Sequence, residues 1–300
     1  MTEGAKPVVV GVDESPASRG ALWWAVQEAR MRRCPLLIAH AMTVADAAAE
    51  RARAVADESF ALARALAPDL SVDVVIDDRP ADRALCLLSP DATLVVVASR
   101  GLGGFTGLLL GSVSASVATH AECPVLVVHG GERWAGPEEM VRSTLPVVAG
   151  IGPYGRPAPA LKSLLDFAFA EAHLRGVDLM ALRAWNPPLP PWRSDVRPLV
   201  SDVAELETSE RVDLTDAVLP YREKYPDVTV RQRVMPVGAA AALVDAAAHA
   251  QLVVVGAHRG RAAGLRLGSV SQQVLHHAPS PVALVPTGVV DRFEHPGGAS

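Results

Sequence analysis

Cysteine, net positive charge and long hydrophobic runs are all in short supply, and each shortage removes a class of protein. The 300 residues include three cysteines, Cys34, Cys86 and Cys123. The odd count and the absence of metal-ligand spacing argue against a disulfide framework or a zinc module. Buried, reduced thiols of a cytosolic chain are expected instead. Lys plus Arg is 28 against 33 for Asp plus Glu, a net charge of −5. A mildly acidic chain has no electrostatic footprint for nucleic acid. No segment reaches the roughly 18 unbroken apolar residues of a membrane-spanning helix. The stretch before Pro7 lacks the apolar centre of a secretory signal, so the expected location is the cytoplasm. Half of the residues are hydrophobic and a fifth are charged, which is globular composition.

What is present is a repeat. Residues 107–128 read GLLLGSVSASVATHAECPVLVV and residues 264–285 read GLRLGSVSQQVLHHAPSPVALV. Upstream, LVVVASRG at 94–101 answers LVVVGAHRG at 252–260, and PVVVGVDESP at 7–16 answers PVVAGIGPYG at 146–155. The block at 107–128 is offset from its copy by 157 positions and the openings by 139, so repeat two has gained a net 18 residues. The Pro-rich stretch 186–200 is the obvious place. It reads as a surface loop, with a partner-docking segment as the alternative. The expected division is a first domain at 1–130, a linker at 131–145, a second domain at 146–287 and a tail at 288–300.

Each repeat alternates apolar runs with helical patterns. Strands are expected at Val8–Val12, Leu36–Ala39, Val72–Ile76, Leu94–Ala98 and Val125–Val128. Helices are expected from Ser15-Pro16, an N-cap and first-turn pair, and at 46–66, Ala81–Leu88 and Ser112–His120. Repeat two follows with strands at Val147–Ile151, Asp178–Ala184, Val228–Met235, Leu252–Gly256 and Val282–Val285. Its helices fall at Ala160–Arg175, 201–221, 239–249 and 268–277. Such alternation predicts an α/β fold, a parallel sheet with helices on both faces.

Ligands of an open parallel sheet bind beyond the carboxyl ends of its strands. Asp13 follows the first strand, His40 and Ala41 end the second, and Ser99-Arg100-Gly101 follows the fourth. The loop GLGGFTGLLLGSVS then brings Gly111, Ser112 and Ser114 to a helix start. Glycines let backbone N–H groups approach an anion, and a helix N-terminus adds free donors and the positive end of its dipole. Arg100 would add charge. Asp13 would accept from a ribose hydroxyl or base amine, or help hold Mg²⁺. The same residues have plainer roles: the loop as a tight connection, Asp13 as a turn residue, Ser112 as the helix cap. His120, His276 and His277 suit helix C-termini. No Lys precedes Ser112, which excludes a P-loop, and Thr106 replaces the third glycine of a dinucleotide fingerprint.

These motifs resemble the universal stress protein family in its tandem-domain form. The resemblance rests on VVVGVDESPAS, LVVVASRGLGGFTGLLLGSVS and HAECPVLVV in repeat one, and on LVVVGAHRG and LGSVSQQVLHHAPSPVALV in repeat two. It implies two Rossmann-like domains of the adenine nucleotide alpha hydrolase type, each with a five-stranded parallel sheet, and ATP as ligand, with Mg²⁺. In ATP-binding members the signature is Gly, two residues, Gly, nine residues, Gly, then Ser or Thr. Repeat one matches with Gly101, Gly111 and Ser112 and departs at Ala98. The resemblance places Asp13 and Ala41 on the adenosine side, and Val97, Ala98, Arg100, Gly101, Gly111, Ser112, Val113 and Ser114 around the phosphates. Repeat two supplies Gly256, Gly268, Ser269 and Ser271. However, Arg259 replaces the second glycine, the spacing is one residue short, and Gly152 replaces the acid. His258 and Arg259 remain candidate phosphate ligands.

No nucleophile elbow, metal cluster or carboxylate pair is evident. The expected function is therefore that of an ATP-binding stress regulator. A nucleotide-free interaction scaffold and a slow ATPase are the alternatives. The resemblance also implies dimerisation through the fifth strands. Val125–Val128 and Val282–Val285 are thus expected to pair with each other in one chain, with a homodimer and an unidentified protein partner beyond that.

Overall fold

The computed structural model describes residues 5–42, 46–99, 110–129, 143–152, 159–186, 200–258 and 267–287. The linker from 130 to 142, most of the Pro-rich insert and the tail from 288 lie outside the described residues.

β-branched Val8, Val9 and Val10 favour extended backbone, and they form β1 (Val8–Gly11) with all three side chains buried. Ser15 then turns the chain. Its hydroxyl accepts the Ser18 N–H at 3.2 Å, Pro16 opens the helix, and α1 runs Pro16–Arg32. Arg33 ends it in the left-handed region (φ 53°), where the second repeat uses Gly176 (φ 64°). The remaining elements of repeat one are β2 (Leu36–Ala41), α2 (Asp46–Leu66), β3 (Val72–Asp77), α3 (Ala81–Leu88), β4 (Leu94–Ala98), α4 (Ser112–His120) and β5 (Val125–Val128). Repeat two gives β6 (Val147–Gly150), α5 (Pro159–Arg175), β7 (Leu179–Ala184), α6 (Val200–Lys224), β8 (Val230–Met235), α7 (Ala239–Ala247), β9 (Leu252–His258), α8 (Ser269–His277) and β10 (Val282–Thr287).

Most elements fall where the periodicity puts them, and the departures have local causes. α6 passes through Pro220 to Lys224 because Tyr221 and Tyr225 anchor its last turns, stacking on Phe169 at 5.1 and 5.9 Å. β2 continues to Ala41 because it stays paired with β3 as far as Asp77. β9 and β10 extend because they pair over six positions, against four between β4 and β5. Cys34 and Cys123 are buried as expected, but Cys86 is only half-buried. Burial pushes the Cys34 thiol up. Of the adjacent tryptophans, Trp24 is buried and Trp23 half-buried, their rings meeting edge to face at 5.9 Å.

All ten strands join one sheet in the order β3-β2-β1-β4-β5-β10-β9-β6-β7-β8. Within each half the strands are parallel. At the centre β5 and β10 run antiparallel, Val125 facing Leu284 and Val127 facing Val282. The fifth strands therefore do pair inside one chain. α1, α2, α5 and α6 cover one face, and α3, α4, α7 and α8 the other. Each apolar layer runs across both halves.

Over the seam, α1 meets α5 through four buried charges. Arg32 donates to Glu28 and Glu171, and Arg175 donates to Glu171 and Glu28. The result is a closed ring of two carboxylates and two guanidiniums. The carboxylate side chains are 1% exposed, Arg175 4% and Arg32 11%. Arg175 also lies over the Trp24 ring at 5.8 Å. Burial pushes the Glu28 carboxyl up, but the Arg175 and Arg32 guanidiniums outweigh it and hold it below the ordinary range. At Glu171 burial, joined by the Glu28 charge, outweighs the same two arginines and the carboxyl is raised.

Removing one member of such a ring strands a charge in the interior. Arg175→Met should lower unfolding stability by about 3–5 kcal/mol in urea denaturation. Replacing all four residues by Leu and Met should recover most of that loss. An equally unstable fourfold variant would mean that the ring itself stabilises the fold.

Candidate functional site

The strand order of repeat one reverses between β1 and β4, since the chain moves outward from β1 to β3 and then crosses back to β4. The carboxyl ends of these strands diverge there and leave a crevice. Asp13 stands two residues past β1. Its Oδ1 accepts the Ser15 N–H at 2.9 Å and the Ser15 hydroxyl at 2.5 Å, while its own N–H donates to Ser18 Oγ at 3.0 Å. The turn role of Asp13 is thus real. It uses one carboxylate oxygen, and Oδ2 makes no hydrogen bond among the described residues. At the end of β2, His40 Nδ1 bonds the Val12 carbonyl at 2.8 Å, and Ala41 follows with only a methyl group. Beside Asp13 a recess of about 100 Å³ opens between α1 and α2, lined by Asp13, Ser15, Ser18, Val55, Ser59 and Leu62 among others.

The other candidate residues lie at the end of β4, the strand paired with β1, and at the start of α4. Val97 is buried in the core and Ala98, the last strand residue, is half-buried. Ser99 O then ties the helix down: Gly111 N–H donates to it at 2.6 Å and Ser114 Oγ at 3.1 Å. Ser114 Oγ also reaches the Gly111 carbonyl at 3.0 Å. Gly111, not Ser112, is the cap residue (φ −75°, ψ 158°), and no side chain caps the helix. Ser112 occupies the first helical position and is exposed, because the chain enters the helix one residue earlier than a serine cap would require. The N–H groups of Ser112, Val113 and Ser114 consequently have no acceptor within α4. Arg100 and Gly101 lie outside the described residues.

Repeat two copies the frame and changes its contents. Ser271 Oγ donates to Gly256 O at 2.7 Å, Gly268 is the cap residue and Ser269 opens α8. A Cβ on Gly268 would meet nothing within 4 Å, so that glycine is not demanded by packing. Gly152 stands in the place of Asp13. His258 is still in β9, and its side chain and Arg259 lie outside the described residues. Arg183, which occupies the place of His40, carries no motif in the sequence. It is buried, donates from Nε to Glu210, and has Nη1 3.4 Å from Gly152 O. The ring residues Glu28, Arg32, Glu171 and Arg175 likewise belong to no motif. Their one trace in the sequence is a Glu-to-Arg pair at i,i+4 in the same helix of both repeats. Among the described residues no group of His, Cys, Asp or Glu is placed to hold a metal, and no helix is long and apolar enough to cross a membrane.

Ser114 is the pin between β4 and α4. Ser114→Ala should lower unfolding stability by about 1 kcal/mol, the usual net worth of such bonds. An unchanged denaturation midpoint would show that Ser99 O is held by Gly111 alone.

The profile of the universal stress protein family matches residues 4–129 and 153–286. A universal stress protein of Mycolicibacterium smegmatis is 36% identical over 296 residues, covering 93% of this chain and 96% of its own. The crystal structure of a universal stress protein from Archaeoglobus fulgidus DSM 4304 superposes with a TM-score of 0.64 at 16% identity, covering 95% of this chain and 99% of that one. At that identity the likeness concerns the fold alone. A universal stress protein solved in complex with cAMP is 29% identical, with a TM-score of 0.36, and covers 43% of this chain and 100% of its own.

Proposed function

The chain belongs to the universal stress protein family as a tandem of two of its domains, and from that premise we propose that it is a regulatory protein whose first domain binds ATP. One observation carries the reading. Past the carboxyl end of β1 a carboxylate has one oxygen fixed and the other without a hydrogen bond among the described residues, and past the end of the adjacent β4 a helix starts with three N–H groups lacking a helical acceptor. Asp13 Oδ2 would accept from a ribose hydroxyl or the base amine. The amides of Ser112, Val113 and Ser114 would take phosphate oxygens, with the helix dipole favouring their charge. The methyl groups of Ala41 and Ala98 would border the nucleotide without adding polar groups of their own. Mg²⁺ would arrive with the phosphates.

No group among these is placed to activate water, so binding, and not turnover, is the proposed activity. The bound nucleotide would bias the first domain toward or away from an effector protein. In this reading the chain acts in the cytoplasm. A second copy of the chain would dock by a surface other than the fifth strands, because β5 and β10 already pair with each other. The internal use of Asp13 and Ser114 favours a nucleotide-free scaffold as the second reading.

Calorimetric titration of stripped protein with Mg-ATP separates the two. One site per chain is expected. Asp13→Ala should weaken binding at least about tenfold, or about 1.4 kcal/mol, and Gly111→Val should weaken it by blocking the phosphate approach. No heat from the unsubstituted protein would leave the scaffold reading standing.

A further inference from the structure

Among the described residues the two crevices differ at one strand end. Hydrogen bonding fixes the equivalence: Val12 N–H bonds Ala39 O in repeat one as Ile151 N–H bonds Leu182 O in repeat two. The next residues therefore correspond, His40 with Arg183 and Asp13 with Gly152. On the covering helices, counting back from Pro68-Asp69 and its copy Pro226-Asp227, Glu210 and Asp213 stand where repeat one has Ala52 and Val55. Val55 is a wall of the recess beside Asp13.

In repeat two the same place is crossed by a charged bridge. Arg183 is 8% exposed, its Nε is paired with Glu210, and its Nη2 lies 3.5 Å from Asp213. Its remaining terminal nitrogen faces Gly152 O at 3.4 Å. The guanidinium thus spans from the β6 end to α6, over the ground that Asp13 borders in repeat one. Two carboxylates face a single guanidinium, so the cluster has no positive charge to spare for a phosphate. It also has no unpaired acid comparable to Asp13.

The strand behind the bridge is altered as well. β9 remains paired with β10 through Ala257 and His258, and Thr287 Oγ1 bonds Ala257 O at 3.0 Å. In repeat one the chain has already left the sheet at Ser99. The second loop therefore begins farther along its strand.

We infer that Arg183, clamped by Glu210 and Asp213, closes the second crevice to adenine nucleotides and makes the tandem a one-nucleotide protein. The inference builds on the proposal that the first crevice binds ATP, but its test is read in the other half. An opened crevice is obtained by giving repeat two the residues of repeat one: Gly152→Asp, Arg183→His, Glu210→Ala and Asp213→Val in the full chain.

The probe is 8-azido-ATP, with labelled peptides mapped by mass spectrometry and unlabelled ATP as competitor. In the unsubstituted chain competable label should be absent from residues 146–287. In the fourfold variant it should appear there, and bound nucleotide should rise by one per chain. Competable label in the second half of the unsubstituted chain would overturn the inference. So would a variant with an unchanged circular dichroism spectrum that gains none. Labelling of the unsubstituted chain remains decisive even where the variant fails to fold. Loss of label from the first half alone would remove the first-domain proposal and leave the second-half comparison intact.

Discussion

The antiparallel pairing of β5 with β10 is the constraint from which the rest of the molecule follows. Each repeat ends on a strand whose side chains are buried on both faces, and such an edge cannot be left to water. Joining the two edges makes one ten-stranded sheet and imposes an approximate two-fold relation on everything packed against it. The relation brings α1 over α5, so that an i,i+4 Glu–Arg pair in each helix meets its own copy. Four charges that would be costly when buried separately become a closed ring with no net charge. The ring ties α1 to α5 across the seam through Arg32–Glu171 and Arg175–Glu28.

The same relation separates the two crevices, because each lies between the first and fourth strands of its half, away from the seam. Nothing in the pairing requires the crevices to be alike. They share the serine that pins the last helix to the sheet, Ser114 in one and Ser271 in the other. They part at the residues facing the ligand space. Repeat one keeps an acid, a histidine turned to the Val12 carbonyl and an apolar helix wall. Repeat two has a glycine, an arginine and two carboxylates. The frame was duplicated and its contents diverged, with the packed sheet acting as a fixed platform for both.

Much of the frame was legible in the residues. The parallel strands showed as Val-rich runs such as 94–97 and 252–255, because a strand covered on both faces needs apolar side chains at every position. Ser15-Pro16 marked a helix start that the structure realises with its hydroxyl cap. Less was legible at the site. Ser112 has the chemistry of a cap, yet Gly111 takes the position, since the backbone leaving Ser99 is already pinned and enters the helix at that residue. Ser114 and Ser271 look like phosphate ligands in one dimension, but their hydroxyls are turned to backbone carbonyls.

By itself the sequence determined the repeat, the alternation of strand and helix, and the strand ends at which chemistry would gather, because these depend on local periodicity and on spacing along one chain. Only the tertiary structure decided that Arg32 meets Glu171 and that Arg183 meets Glu210 and Asp213. Those contacts join residues from different elements, and a charged side chain reads the same in a sequence whether it is solvated or buried against a partner. The buried partners were set by which helices the seam brings together and by which strand end each helix covers.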